Sequence, residues 1–254
     1  MRTTSKLAGI AFGAAALVPF LGAGVAHAAD GTTTATLRPV ALNGVQGSGT
    51  AMVTVTGTRI DVTMRANGLL PDNPHAAHIH FGADARHECP VASDDSNKDG
   101  HLNTTEGGPA YGPVVVSLTK TGDTSPKSTL AVDRYDTAPG GNLSYERGSI
   151  NVSPAVAQAI VDGKAVVVVH GVDYNKDGKY DGNTKSDLDP SLPTEATDPA
   201  ICGALRAAPA GGMQTGAGGT SGSTNDELML LGGGFLLAAA GTGTLAARKV
   251  RNRA

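Results

Sequence analysis

The chain has 254 residues, a formal net charge of −3, 35 glycines, no tryptophan and only 4% aromatic residues. Its basic residues form no cluster outside the extreme C-terminus, which argues against a nucleic-acid-binding surface. So few aromatic rings also argue against a face that stacks on sugars.

In chain order the first element is a targeting segment. Arg2 and Lys6 precede an apolar run from Leu7 to Val25, and Ala26-His27-Ala28 places small residues where a signal peptidase reads them. Residues 1–28 are therefore expected to be a signal peptide, and residues 29–206 one exported domain of ordinary size. Export puts Cys89 and Cys202, the only cysteines, where a disulfide can persist.

The domain reads as all-β. "TTTATLRPVAL" from Thr32 and "GTAMVTVTGTRIDVTMRA" from Gly49 are rich in Val and Thr, as are "GPVVVSLT" from Gly112 and "KAVVVVH" from Lys164. Met52 or Val53 alternates with Thr54 and Thr56, as in a strand with one wet face, and Thr56 to Thr58 reads as a hairpin turn. Only "SPAVAQAIVDG" looks helical: Ser153 can cap, Pro154 suits the first turn and Gly163 follows the end. Short strands, long loops and one short helix predict an antiparallel sandwich or barrel.

Two acidic loops interrupt the strands. "DSNKDGHLNTTE" fits a twelve-residue calcium loop, with side-chain oxygens from Asp95, Asn97 and Asp99, the turn at Gly100, the carbonyl of His101 and a bidentate Glu106. "DYNKDGKYDGNT" repeats its first part through Asp173, Asn175, Asp177 and Asp181, but Thr184 stands at the twelfth position. Asp187 or Asp189 is the expected substitute. No flanking helix is evident, and hydrophilic Asx-turn loops are the plainer alternative.

Past the domain, residues 207–227 read as a Gly/Ser/Thr-rich linker. Residues 228–247 are long enough to span a bilayer, and residues 248–254 form a basic tail expected on the cytoplasmic side. The arrangement resembles a Gram-positive cell-wall sorting signal. "GMQTG" keeps only part of the usual motif, so anchoring at the membrane is the expectation and covalent wall attachment stays open.

The densest chemistry is "HAAHIHFGADARHEC", His75 to Cys89, which holds four of the seven histidines. His78 and His80 are two residues apart, so on a strand both imidazoles share one face and can share one metal. His170, at the end of a Val-rich run, is a candidate third ligand. Two hydrogen-bonded histidines with no metal would give the same local pattern.

Three separated features resemble the copper,zinc superoxide dismutase superfamily, whose signature is His-Gly-Phe-His-Val-His-x-Phe-Gly with a cysteine nine residues after the last histidine. "HAAHIHFG" leads from His80 to Cys89 by that step, "ICGAL" matches the context of the second cysteine at Cys202, and "VVVVHGVD" that of the later copper ligand at His170. The resemblance implies a Greek-key fold, copper on His78, His80 and His170, a Cys89–Cys202 disulfide, and His75 as a brace without a metal bond. His101 either completes the copper site or contributes only its backbone. The zinc loop is not reproduced, since "EGGP" stands for the family's "HGGP", and zinc is not expected. Pro199 occupies the place of the active-site arginine, which predicts weaker guidance of superoxide. The "AHIH" run also resembles chordin-type (CHRD) domains of bacterial surface proteins. Two readings therefore stay open: a copper-dependent dismutase, or a non-catalytic surface module that binds copper, calcium or a protein partner.

Overall fold

The computed structural model describes residues 29–208. The expected signal peptide, membrane span and basic tail, and nearly all of the linker, lie outside them. No helix among the described residues is long and apolar enough to cross a membrane.

Among the described residues nine strands form one antiparallel path. They are β1 Asp30–Pro39, β2 Ser48–Thr56, β3 Arg59–Asn67, β4 Ala77–His80, β5 Val114–Ser117, β6 Leu143–Asn151, β7 Val166–His170, β8 Pro199–Ala204 and β9 Arg206–Ala207. Their order is β5-β4-β7-β8-β1-β2-β3-β6, with β9 added beside β1. β1 belongs to both halves: Asp30 to Leu37 pairs with β2, and Arg38 and Pro39 pair with β8. This shared strand curls the path into an antiparallel half-barrel, as the strand pattern led one to expect.

The alternation in β1 to β3 is regular because one face alone is covered. Ala51, Val53 and Val55 point into the core while Met52 is 40% exposed, so Val53 is the inward member of the Met52/Val53 pair. The β2–β3 hairpin turns at Gly57, whose φ of +63° suits the two-residue connection between Thr56 and Arg59. Leu37, Val53, Ile60, Val62 and Met64 meet Ile79, Val167, Val169 and Ile201 from the other half. Each such side chain contributes about 1.5–3 kcal/mol by leaving water.

β4, β7 and β8 differ, being buried along almost their whole length. Ala77, Ile79, Val167 and Val169 face the main core, whereas Val166, Val168 and Cys202 face a second cluster with Val40, Leu102 and Tyr111. Long loops and a helix cover this outer face. That cover is why "VVVV" shows no alternation, as strands buried on both faces do not.

The expected helix is present as α2, Pro154–Val161, with Ser153 Oγ accepting from the Val156 amide and Gly163 at φ +72° beyond its end. Two further short helices correct the expectation of only one. In chain order these are α1, Thr104–Tyr111, and α3, Thr194–Thr197, which follows α2. Gly107, Gly108 and Pro109 hide α1 from propensity, but Asn103 and Glu106 form a capping box that starts it. Cys89 and Cys202 are disulfide-bonded and close a loop of sequence separation 113. The bridge pins the segment after β4 to β8, beside β7.

Candidate metal centre

His78 and His80 project from β4 on the face opposite Ala77 and Ile79, and His170 projects from the end of β7 on the same side as Val166 and Val168. β4 and β7 pair in register, His78 opposite Val168 and His80 opposite Val166, and the His170 amide donates to the Ala76 carbonyl at 2.8 Å. The three rings converge, with centroids 5.0 Å apart for His78–His170, 5.6 Å for His78–His80 and 6.1 Å for His80–His170. One nitrogen from each lies within 4.8 Å of the other two. All three residues are buried.

The remaining nitrogens fix the tautomers. His80 Nδ1 lies 2.8 Å from the Gly112 carbonyl and His170 Nδ1 lies 2.6 Å from the Thr197 carbonyl. A carbonyl can only accept, so each of these nitrogens carries the proton. His78 Nε2 lies 3.1 Å from the Thr129 carbonyl and 2.8 Å from the Tyr135 hydroxyl, which donates to the Ser128 carbonyl and so accepts from the ring. The other nitrogens, His78 Nδ1, His80 Nε2 and His170 Nε2, are buried lone pairs with no hydrogen-bond partner. Leaving one buried acceptor unmatched costs about 1–3 kcal/mol. Three such nitrogens within 4.8 Å of one another could together hold a metal ion.

Electrostatics agree with this assignment. Burial pushes the pKa of His80 down to about 3 and that of His170 to about 4. Burial, then repulsion from His170 and His80, holds His78 well below 6.5. All three are therefore neutral at physiological pH, the form that binds metals.

A cavity of about 370 Å³ opens onto the three rings. The Tyr111 ring lies against His80 at 4.5 Å, held by its hydroxyl donating to the Thr104 carbonyl. Gly112, whose carbonyl orients His80, has φ +83°, and a Cβ there would lie 2.6 Å from the Gly82 nitrogen. Only glycine fits.

His75 stands apart from this group. Its Nδ1 lies 2.8 Å from the His170 carbonyl and its Nε2 lies 3.0 Å from the Leu70 carbonyl, so it ties the end of β7 to the turn before β4. His87 stacks on Phe81, away from the cluster. His101, considered as a fourth copper ligand, is not brought into the group either. Its ring packs on Tyr174 at 4.0 Å, between the two acidic loops.

Those loops have one backbone design. Gly100 donates to Asp95 Oδ2 and Gly178 to Asp173 Oδ2; Asp99 donates to Asn97 Oδ1 and Asp177 to Asn175 Oδ1; and His101 donates to Asp99 as Lys179 does to Asp177. Glu106 closes the first loop, Oε1 accepting from the Ser96 amide and Oε2 from that of Asn103. In the second loop the equivalent amides, Tyr174 and Asp181, donate to Oε1 and Oε2 of Glu195, which is buried in α3. Glu195 therefore stands where the repeat lacks its twelfth residue. Asp187 and Asp189, expected there, instead accept from the Thr105 and Ser191 amides. The intervening segment returns through a bridge between Lys185 and Pro193, so local spacing could not reveal Glu195. A helix does follow the first loop, since Glu106 lies in α1, which corrects the expectation of loops without flanking helices.

The CHRD domain profile matches residues 28–178, more than half of the chain. The chain belongs to the CHRD domain family. The CHRD match takes in all three clustered histidines, Cys89 and the first acidic loop, and ends before Glu195 and Cys202. No curated protein matches the chain closely enough to count as a relative.

Proposed function

We propose that this CHRD domain is an exported, surface-tethered copper-binding module of the superoxide dismutase-like superfamily. The observation that carries the reading is the convergence of three buried, neutral imidazoles whose free lone pairs have no protein partner. A donor set of three imidazoles with no thiolate or carboxylate suits copper, which heads the affinity order of divalent first-row metals. His78, His80 and His170 would hold the ion. Gly112, Thr197, Thr129 and Tyr135 orient their rings, and the cavity that the three histidines line would give a small ligand access to an ion held there. Bound copper would supply one-electron chemistry.

Dismutation is the narrower proposal. A cavity beside the three histidines supports it, while the absence of any Lys or Arg from the cavity lining counts against fast capture of an anion. That feature favours the second reading, a CHRD module that binds metal without turnover. Calcium in the acidic loops, closed by Glu106 and Glu195, would act as a clamp on α1 and α3. Metal analysis of the purified full-length protein tests the copper reading, followed by a dismutase assay on the copper-loaded form. One copper per chain, lost in His78→Ala and His80→Ala, is expected. Copper uptake by both variants equal to that of the parent would reject the site.

A further inference from the structure

The cavity above the three histidines is walled by apolar surface. Its lining includes Leu130 and Val132, and Leu188 and Leu192 from the stretch that leads into α3. Leu130, Val132 and Leu188 are 38%, 41% and 43% exposed, and they make up half of the large apolar side chains left exposed among the described residues. Single exposed apolar residues are ordinary. Three that line one cavity, two from the stretch 130–132 and one from the stretch before α3, form a patch of the kind that marks a binding site. Within the cavity Tyr111 adds a ring face, and no Lys, Arg, Asp or Glu lines any part of it. His78, His80 and His170, each with one nitrogen that has no hydrogen-bond partner, line it too, beside the hydroxyl-bearing Thr104, Thr129, Thr197, Tyr111 and Tyr180.

From this lining we infer that the cavity takes a neutral, largely apolar small molecule with a single lone-pair donor directed at the metal position, rather than a small anion. The volume lies at the lower end of the roughly 300–1,000 Å³ of small-molecule sites. It suits one ring with a short substituent. An anion would cross an apolar mouth with no counter-charge, whereas an apolar ligand covers the exposed leucines and releases their hydration water. The donor contact rests on the copper reading; the apolar contact does not.

The test uses the full-length protein in two states. On the copper-loaded form, binding of 4-phenylimidazole, imidazole and azide is followed by the shift of the copper absorption band. The phenyl group is expected to tighten binding about tenfold or more over imidazole, from the apolar surface it buries. This gain should vanish in Leu130→Ser/Leu188→Ser, whose changes are exposed, lie outside the ligand set and leave copper content unchanged. On the metal-free form, toluene binding is followed by saturation-transfer NMR and should weaken in the same double variant. Equal affinity for the two azoles, a phenyl gain that survives the double variant, or tighter binding of azide than of 4-phenylimidazole would overturn the inference. If no copper is taken up, the copper reading fails by itself. Toluene then decides the cavity: binding that the double variant weakens supports the inference, and its absence overturns it.

Discussion

Breaking the Cys89–Cys202 bridge isolates the largest single constraint on the domain. Cys89→Ser is the cleaner perturbation, because Cys89 is only half-buried. Cys202 lies among Val40, Val166 and Val168, where a free thiol behaves as a small apolar group. For a closed loop of separation 113, the chain-entropy relation gives a loss of about 16 cal/mol/K, or about 5 kcal/mol at 25 °C. Domain stabilities run to about 5–15 kcal/mol, so the variant should keep a fraction of its stability and sit close to unfolding. Urea unfolding followed by circular dichroism, with and without reductant, measures this directly. The parent's midpoint should fall on reduction, while that of Cys89→Ser should not respond. The m-value should also rise without the bridge, because the unfolded chain is freed to expand. A Cys89→Ser variant within about 1 kcal/mol of the parent would refute the loop-entropy reasoning, since even the usual cost of losing a native bridge is about 2–5 kcal/mol.

Tyr135→Phe removes the hydroxyl 2.8 Å from His78 Nε2 but leaves the Thr129 carbonyl, so copper affinity should fall about tenfold, the low end for outer partners of metal ligands. Competition with a chromophoric chelator measures it, and unchanged affinity would remove Tyr135 from the site's support. Metal-free protein should lose stability as pH falls. Unfolded histidines protonate near 6.5 while His80 and His170 hold out to about 3 and about 4, so the unfolded state binds more protons in between. Stability is then full above pH 6.5 and drops toward pH 4, and a flat urea midpoint across that window would contradict the neutral cluster. Glu195→Gln puts an amide N–H against one of the two amides that Glu195 accepts from, Tyr174 and Asp181, and should cost about 1–3 kcal/mol. It should also reduce the rise in Tm produced by calcium chloride. A calcium response identical to that of the parent would take Glu195 out of the second loop.

How far the sequence reached depended on whether a feature was local. His78 and His80 could be paired because β geometry alone puts residues two apart on one face. The turn at Gly57 and the capped α2 are set by contiguous residues and were equally legible. α1 was obscured because Gly107, Gly108 and Pro109 argue against a helix that its capping box and Leu102 and Tyr111, in the outer cluster, nevertheless fix. Glu195 was out of reach for a different reason: the residue that completes the second loop arrives from another element, after a detour through the Lys185–Pro193 bridge. His101 shows the converse. Its place in the sequence allowed two roles, and only the packing of its ring on Tyr174 separates it from the histidine cluster.

The acidic loops and the histidine cluster are joined by two short helices. Glu106 closes the first loop near the start of α1, and the far end of that helix supplies Tyr111 against His80, with the Gly112 carbonyl on its Nδ1 following at once. Glu195 closes the second loop in α3, and two residues later the Thr197 carbonyl holds His170 Nδ1. The backbone of the same stretch also receives the amides of Gly171 and Val172, through the carbonyls of Asp198 and Glu195. Each loop therefore fixes the carbonyl that decides which nitrogen of one histidine is free. Anything that orders the loops orders the tautomers. If the proposed copper site and calcium loops are both occupied, this is a physical route by which removing calcium would change copper affinity at a site that calcium does not touch.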